Sequence, residues 1–361
     1  METGDDILAF EREAQDPALV KAETGGSFKK VFWFLLRIAL AVAIIGWLLH
    51  KHIDTFVDNL KNINWLWMGL ACSAYIFHMF VCSWRWFRLA HVLGVKFSFL
   101  EAVALTMKGY FFSLVIPGGS IGGDVAKIGF LTSRAPKGEK IEGAFSILVD
   151  RMTGMVGLFT VALIVISCSI PMLMRVQLDV IKLNDTLRVV GIVVLMGMCL
   201  AGLLAMLAMF FHDILRKVKP IDWLMKLGDK YTHGAVTRLT SAIDTYRGSW
   251  KLVLKMCITS AFLVHLNMVF VVYLIMKALG MSGINPLYVI SAVIIGNIAG
   301  LLPFTVSGVG LRDVTISVIL VAGGICNSAT IPILYTAIII VFNILAGIFF
   351  IYDPGRNRRT G

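Results

Sequence analysis

The stretch Pro117-Gly-Gly-Ser-Ile-Gly-Gly-Asp124 interrupts a long apolar segment of this sequence. Residues 97–116, which precede it, are long enough to cross a bilayer, since a spanning helix needs about 20 apolar residues. A proline and several glycines in so short a stretch end a continuous helix. We therefore predict a re-entrant helical hairpin over residues 97–132, in which the chain enters the membrane, turns inside it and leaves on the same side.

A second interruption of the same kind lies in the second half of the chain. Residues 302–313 read Leu302-Pro303-Phe-Thr-Val-Ser-Gly-Val-Gly-Leu-Arg-Asp313, between a short apolar segment and another one that ends near residue 322. Proline and glycine again prevent one continuous helix. The pattern predicts a second re-entrant hairpin over residues 286–325.

Uninterrupted apolar stretches predict full transmembrane helices on either side of both hairpins. They cover residues 31–49, 65–83, 143–173, 187–211, 252–276 and 331–352. The order span, span, hairpin, span then occurs twice, at 31–174 and at 187–352, with opposite orientation in the membrane. The predicted fold is an all-α membrane protein with six full transmembrane helices plus two re-entrant helical hairpins in an inverted repeat.

Composition and charge agree with a multi-pass membrane protein. Charged residues make up 15% of the chain, hydrophobic residues 58%, and the mean hydropathy is +0.84, whereas soluble chains carry roughly a quarter charged residues. The net charge of +11 fits cytoplasmic loops rich in Lys and Arg, so we expect no nucleic-acid partner. We predict a bacterial inner-membrane location, with the tails 1–30 and 353–361 cytoplasmic and no cleaved signal peptide.

The connection 212–255 is basic and has an amphipathic pattern. Apolar residues that include Leu239, Ile243 and Tyr246 recur at helical spacing, with Lys and Arg on the opposite face. We predict a cytoplasmic amphipathic linker, which lies either on the membrane surface or against the underside of the protein.

The two interruptions are the candidate site. A helix that begins inside the membrane presents free N–H groups and a positive dipole end, which suit a phosphate. Alternatively, the glycines serve only close helix packing. The candidate headgroup-binding residues are Lys108, Gly118, Gly119, Ser120, Gly122, Gly123, Asp124, Lys127, Asp150, Arg151, Ser307, Gly308, Gly310, Arg312 and Asp313.

Charged residues at membrane depth usually face a cavity or a partner. For Asp150 the sequence suggests Lys108 or Lys127 as a partner, and the Asp150-Arg151 dipeptide has either a structural role or a headgroup contact. Glu101 lies on the same helical face as Lys108, so a proton-coupling role for Glu101 is a further hypothesis.

Motifs of enzymes and metal sites do not occur in the sequence. The histidines show no metal-ligand spacing, and the cysteines lie in or beside apolar segments, which favours a core role. We therefore expect no catalytic residue, no metal and no cofactor, and the chain is not expected to be an enzyme.

Three motifs resemble one family of integral membrane proteins, those similar to the transmembrane region of lysylphosphatidylglycerol synthase. They are residues 117–124 with Lys127, Asp150-Arg151 with Gly154, and residues 303–313. The resemblance covers about residues 30–352 and implies lipid translocation between leaflets. It departs from the family pattern at Asp313, where glutamate is expected, and at Phe304-Thr-Val, where a further glycine is usual.

Lipid translocation is the leading functional hypothesis. The chain would be a flippase for an anionic phospholipid or a polyprenyl-linked lipid. We expect no aminoacyl-transferase domain after Tyr352, so a lipid-modifying enzyme would be encoded separately, and the hypothesis also allows a homo-oligomer. The alternatives are a membrane glycosyltransferase or its accessory, acting on lipid-linked sugars, and an ion-coupled transporter of small anions.

Overall fold

The computed structural model describes residues 61–116, 119–133, 139–176, 184–210, 235–283, 285–301, 309–325 and 329–351. These ranges are helical apart from short connections, and no strand occurs in them. The predicted first span 31–49, the two tails and the linker residues 212–234 lie outside the described residues, as do Gly118, Ser307 and Gly308.

The helices are numbered here in chain order. They are α1 Trp65–Val92, α2 Phe99–Val115, α3 Ser120–Thr132, α4 Lys140–Leu173, α5 Asp185–Phe210, α6 Ala235–Gly248, α7 Trp250–Thr259, α8 Asn267–Ala278, α9 Pro286–Ala299, α10 Leu311–Ala322, α11 Thr330–Leu345 and α12 Ile348–Ile351. A π-helical segment, Ser260–Leu266, joins α7 to α8 without a break.

Five stretches of the described chain are long and apolar enough to cross a membrane. They are α1, α4, α5, the continuous α7–π–α8 helix and α11 with α12. Each coincides with a predicted span. The one marked difference is that α1 continues to Val92, past the predicted end at residue 83, because no helix-breaking residue occurs before Gly94.

Helices α2 and α3 form the first hairpin, within the predicted residues 97–132. Its two arms approach closely through glycine: a Cβ atom added to Gly123 would lie 2.3 Å from the carbonyl oxygen of Gly109. Helices α9 and α10 form the second hairpin, where a Cβ atom on Gly296 would lie 2.7 Å from Ile316 Cγ1. In both hairpins glycine allows the arms to pack more closely than any larger residue would.

The returning arm of each hairpin begins after a glycine with a left-handed backbone. Gly119, immediately before α3, has φ 58°, and Gly310, immediately before α10, has φ 93°. L-residues with a Cβ atom rarely adopt such angles, whereas glycine does so readily. The glycines that prompted the prediction of both interruptions therefore include the residues that turn the chain.

The helix contacts fall into corresponding pairs. Helix α4 packs on α9, and α11 packs on α2. Likewise α1 contacts α2 as α8 contacts α9, α3 contacts α4 as α10 contacts α11, and α1 itself packs on α8. When α1, α2, α3 and α4 are replaced in this order by α8, α9, α10 and α11, and the reverse, each of these helix contacts corresponds to another contact that the structure also contains.

Helix α6 is the described part of the amphipathic linker. Its apolar residues Ala242, Ile243 and Tyr246 are buried and share a core cluster with Leu89 of α1 and Phe145 of α4. The apolar face of α6 therefore packs against protein. Residues 250–255, which the sequence assigns to the linker, already belong to α7.

Candidate functional site

A cavity of about 260 Å³ lies among α1, α2, α3, α4 and the π-helical segment. Its charged lining residues are Arg85, Asp124, Lys127, Asp150 and Arg151. Ionised groups at membrane depth are costly, at roughly 2.5–3.5 kcal/mol each on insertion scales. A group of five within otherwise apolar helices is therefore the strongest candidate for a functional site in the described part of the chain.

Arg85 and Asp150 form an ion pair at one side of this cavity. Arg85 Nε donates to Asp150 Oδ1 at 2.7 Å, and a second guanidinium nitrogen donates to Ser260 Oγ at 2.6 Å. Gly154, one turn after Asp150, leaves room for the guanidinium, since an added Cβ atom would lie 3.3 Å from it. The sequence suggested Lys108 or Lys127 as a partner of Asp150, and the structure shows Arg85 paired with it, which reaches the carboxylate from the longer α1.

Arg151 and Asp124 form a second ion pair across the same cavity. Arg151 Nη2 lies 2.6 Å from Asp124 Oδ2, and Arg151 Nε donates to that oxygen at 2.8 Å. The guanidinium also donates to the backbone oxygen of Ser120 at 3.2 Å. The pair connects the start of α3 to α4, yet the side chains keep 37% and 26% of their surface exposed. A ligand in the cavity can therefore reach both of them.

The ammonium group of Lys127 lies over an aromatic ring. Its Nζ atom lies 3.6 Å from the centroid of the Trp86 ring, and the Trp86 indole donates to Ser146 Oγ at 3.1 Å. A cation over a ring face is stabilised without neutralisation of its charge. Among the described lining residues, three Lys and Arg cations therefore face two carboxylates, which favours an anionic ligand.

Lys108 occupies a different place. It is almost fully buried, and its Nζ atom lies 4.9 Å from the centroid of the Phe130 ring. It lines neither this cavity nor its neighbour. Glu101, the suggested proton-coupling residue, is buried in the first turn of α2 and also lines neither cavity.

A second cavity of about 210 Å³ adjoins the first one. Both are lined by His78, His265, Leu158, Val264 and Leu301. The second cavity extends to Arg312 at the start of α10. The two histidines are the polar residues among these shared ones, and the two neighbouring cavities together extend from Arg151 on α4 to Arg312 at the start of α10.

The start of α10 is fixed by a buried hydrogen-bond network. Arg312 donates to Thr336 Oγ1, Thr336 donates to Asp313 Oδ1 at 2.7 Å, and Asp313 Oδ2 accepts from the Gly310 amide at 2.9 Å. The guanidinium of Arg312 also lies 4.8 Å from the centroid of the Tyr335 ring. Asp313 is fully buried and closes the first turn of the helix.

The structure thus separates the predicted site residues into three groups. The first cavity is lined by Ser120, Asp124, Lys127, Asp150 and Arg151, and the second by Arg312. Other predicted residues shape the hairpins or lie apart from both cavities: Lys108, Gly119, Gly122, Gly123, Gly310 and Asp313.

Several lining residues were missed from the sequence. His78, Cys82 and Arg85 follow each other at intervals of four and three along α1, which places them on one helical face. That spacing is visible in the sequence and would have indicated the site, had α1 been extended beyond residue 83. Nothing in the local sequence marks His265, which faces the cavity from the π-helical segment and is hydrogen bonded to the Gly154 carbonyl at 2.9 Å.

Comparison with known proteins gives a match to a protein family. No curated protein matches the chain, and no solved structure matches it. Residues 34–347 match the model of the family described as the lysylphosphatidylglycerol synthase TM region. Because this match covers most of the chain, and confirms the resemblance of the three motifs, the protein belongs to the lysylphosphatidylglycerol synthase transmembrane-region family of multi-pass membrane proteins.

Proposed function

We propose that the protein is a flippase, which moves lipids with an anionic headgroup between the leaflets of the bacterial inner membrane. The observation that carries the proposal is the charged cavity among α1, α2, α3 and α4 with its excess of cations. A lipid phosphate is the anion that a membrane supplies at highest concentration, and guanidinium groups bind phosphate with two parallel hydrogen bonds. Membership of a lipid-related membrane family supports the same assignment.

In this proposal the two hairpins are re-entrant. Their arms have 17, 13, 14 and 12 residues, which correspond to lengths of about 18–26 Å at about 1.5 Å per residue. A hydrocarbon core of about 30 Å is longer than any of them. Each arm therefore fits a path that enters the membrane and returns better than it fits a complete crossing.

The proposed architecture is an inverted repeat of six spans and two hairpins. The exchangeable contacts between α1–α4 and α8–α11 support it, as do the left-handed glycines Gly119 and Gly310 at the same place in each hairpin. Inverted repeats commonly place the substrate between the two halves near the middle of the bilayer. The second cavity lies between the two sets of helices, and it shares lining residues with the first.

The headgroup would move from the first cavity to the second past the residues that line both. It would bind first to Arg151 and Lys127, pass His78 and His265, and reach Arg312, while the acyl chains stay in the bilayer. The ion pair of Arg151 with Asp124 would open as the phosphate replaces the carboxylate. Because one anionic partner replaces another, the Arg151 guanidinium keeps a counterion throughout, and the displaced Asp124 carboxylate is 26% exposed already in the pair.

Proteoliposomes with a fluorescent lipid in both leaflets test the proposal, with a membrane-impermeant quencher reporting transbilayer exchange. We expect the protein to accelerate exchange of a phosphatidylglycerol probe and Lys127→Met to abolish the acceleration. Lys108→Met is the matched control: it also removes a buried ammonium from an aromatic ring, but Lys108 lines neither cavity. Unchanged exchange with every anionic lipid tested would overturn the proposal.

The same preparation separates the alternative hypotheses. Uptake of a radiolabelled soluble anion without lipid exchange would favour a small-anion transporter. Transfer of a labelled sugar to polyprenyl phosphate by the purified chain would favour a glycosyltransferase or its accessory.

A further inference from the structure

The thiol of Cys82 opens into the charged cavity. Cys82 lies on α1, is partly exposed, and belongs to the cavity lining. Its sulfur is 3.8 Å from His78 Nε2, one helical turn earlier. Arg85, three residues later on the same face, lines the same cavity. A base and a fixed cation therefore flank this sulfur.

The imidazole of His78 is available to take the thiol proton. Its Nδ1 atom is buried and has no hydrogen-bond partner, so no acceptor elsewhere fixes the tautomer of the ring. A thiolate is the nucleophilic form of cysteine, and a neighbouring histidine or arginine stabilises that form. The arrangement is that of an activated thiol.

A second feature of the cavity points to a bound molecule. Thr106 Oγ1 is buried, its side chain lines the cavity, and the hydroxyl has no hydrogen-bond partner. Thr106 is only 7% exposed. A buried hydroxyl without a partner is unfavourable, and a ligand with a carbonyl or phosphoryl oxygen would accept its hydrogen bond.

Other described cysteines have different surroundings. Cys199 is buried in the main hydrophobic core, and Cys168 is an exposed residue of the apolar helix α4. Cys257 lines a separate apolar groove with leucine and valine side chains. Apolar surroundings favour the neutral thiol, which is inert. Cys82 is therefore distinct in its chemistry among these residues.

We propose that Cys82 is a covalent modification site for soft electrophiles of the α,β-unsaturated carbonyl class, the class that arises when lipid acyl chains are oxidised. In the reaction the sulfur attacks the β-carbon and forms a C–S bond, while the π electrons of the C=C bond move to the carbonyl oxygen. The thiol proton, held by His78, then passes to the α-carbon. The addition needs no oxidant or reductant.

N-ethylmaleimide, a member of this class, is the probe. The purified full-length chain is labelled for increasing times, and each cysteine peptide is quantified by mass spectrometry. We expect Cys82 to react at least roughly tenfold faster than Cys72, which lies on the same helix. We expect His78→Asn to slow Cys82 at least roughly tenfold, with no change at Cys72.

His91→Asn is the matched control, because His91 lies on the same helix but is exposed and bonded to the Phe87 carbonyl. It should leave the Cys82 rate unchanged. Equal effects of the two histidine variants would overturn the proposal. If His78→Asn fails to fold, the labelling rates of Cys82 and Cys72 in the original chain test the proposal instead. Equal rates at the two cysteines would overturn it.

The labelling experiment does not require lipid exchange, so it tests the modification site independently of the proposed flippase function. If the flippase proposal also holds, N-ethylmaleimide should block lipid exchange by the original chain, whereas treated and untreated Cys82→Ser should exchange lipid at the same rate, whatever that rate is. Fast labelling of Cys82 in a chain that exchanges no lipid would retain the modification site and remove the flippase.

Discussion

Arg85 of α1 and Asp150 of α4 are 65 residues apart in sequence, and Arg85 Nε lies 2.7 Å from Asp150 Oδ1. Both side chains are largely buried, with exposed fractions of 7% and 15%. Ser260 of the π-helical segment accepts a second hydrogen bond from the same guanidinium. One arginine therefore connects three helices at the wall of the charged cavity.

The first prediction concerns this ion pair. Asp150→Asn should lower the free energy of unfolding by about 3–5 kcal/mol, because it leaves the buried Arg85 charge without a counterion. Unfolding of the purified protein in detergent, followed by circular dichroism, measures the change. Asp244→Asn is the control, since the side chains of Arg247 and Asp244 are 36% and 55% exposed in their pair, and an exposed pair contributes about 0–1 kcal/mol. Equal losses in the two variants would contradict a buried pair.

The second prediction concerns the glycine contact of the first hairpin. Gly123→Ala should destabilise the protein by about 1–3 kcal/mol, because an overpacked contact forces backbone shifts. The added Cβ atom would lie 2.3 Å from the Gly109 carbonyl oxygen, whereas one at Gly129 of the same helix would meet nothing within 4 Å. Gly129→Ala should instead stabilise α3 by up to about 1 kcal/mol. Thermal melting of both variants measures the two changes in stability. Equal shifts in their melting temperatures would argue against close packing of the arms.

The two helix breaks and five of the apolar helices long enough to span could be predicted from the sequence, for a physical reason. Length and apolarity determine which segments can cross a bilayer, and proline and glycine mark where a helix stops. The described helices α1, α4, α5, α7–π–α8 and α11 with α12 agree with those predictions. Gly119 and Gly310 have the positive φ angles that a turn at each break requires.

The charge pairs could be predicted only in part. Asp150, Arg151, Asp124 and Lys127 were singled out because charges are costly at membrane depth. Which cation meets which carboxylate depends on where helices from distant parts of the sequence pack, and local spacing does not carry that information. Arg85 was taken as the end of a span, because a run of charges near a helix end usually marks the membrane surface.

The third prediction concerns lipid retention. Arg151→Ala should reduce the amount of anionic lipid that co-purifies, since it removes one of the three cations that line the cavity. Asp124→Asn should increase it, because Arg151 then lacks its carboxylate partner. Mass spectrometry of bound lipids at equal protein amounts measures both. If Arg151 only connects α3 to α4, the two variants will retain the same lipids as the original chain.

The fourth prediction concerns Tyr246 on α6. Its hydroxyl donates to the Leu89 carbonyl at 3.0 Å. That carbonyl needs an outside donor, because the Leu93 amide, which would continue the helix, bonds instead to Ala90. Tyr246→Phe should therefore cost about 1–3 kcal/mol, since it leaves a buried acceptor without a partner. Thr245→Val is a control at a neighbouring exposed position, where Thr245 bonds only within its own helix, and should cost less.

The same residue predicts a dependence on alkaline pH. Burial, together with the negative charge of Asp150, raises the pKa of Tyr246 above its ordinary value. The folded state therefore keeps the phenol proton at pH values where the unfolded state loses it, above about pH 10. Stability should fall as the pH rises through this range, because the folded state binds more protons than the unfolded state.

Tyr246→Phe lacks this contribution, so its deficit in stability relative to the original chain should shrink between about pH 9 and pH 11. Denaturant unfolding at a series of pH values measures the deficit, and a constant value across the series would show that Tyr246 ionises as readily in the folded protein as in the unfolded chain.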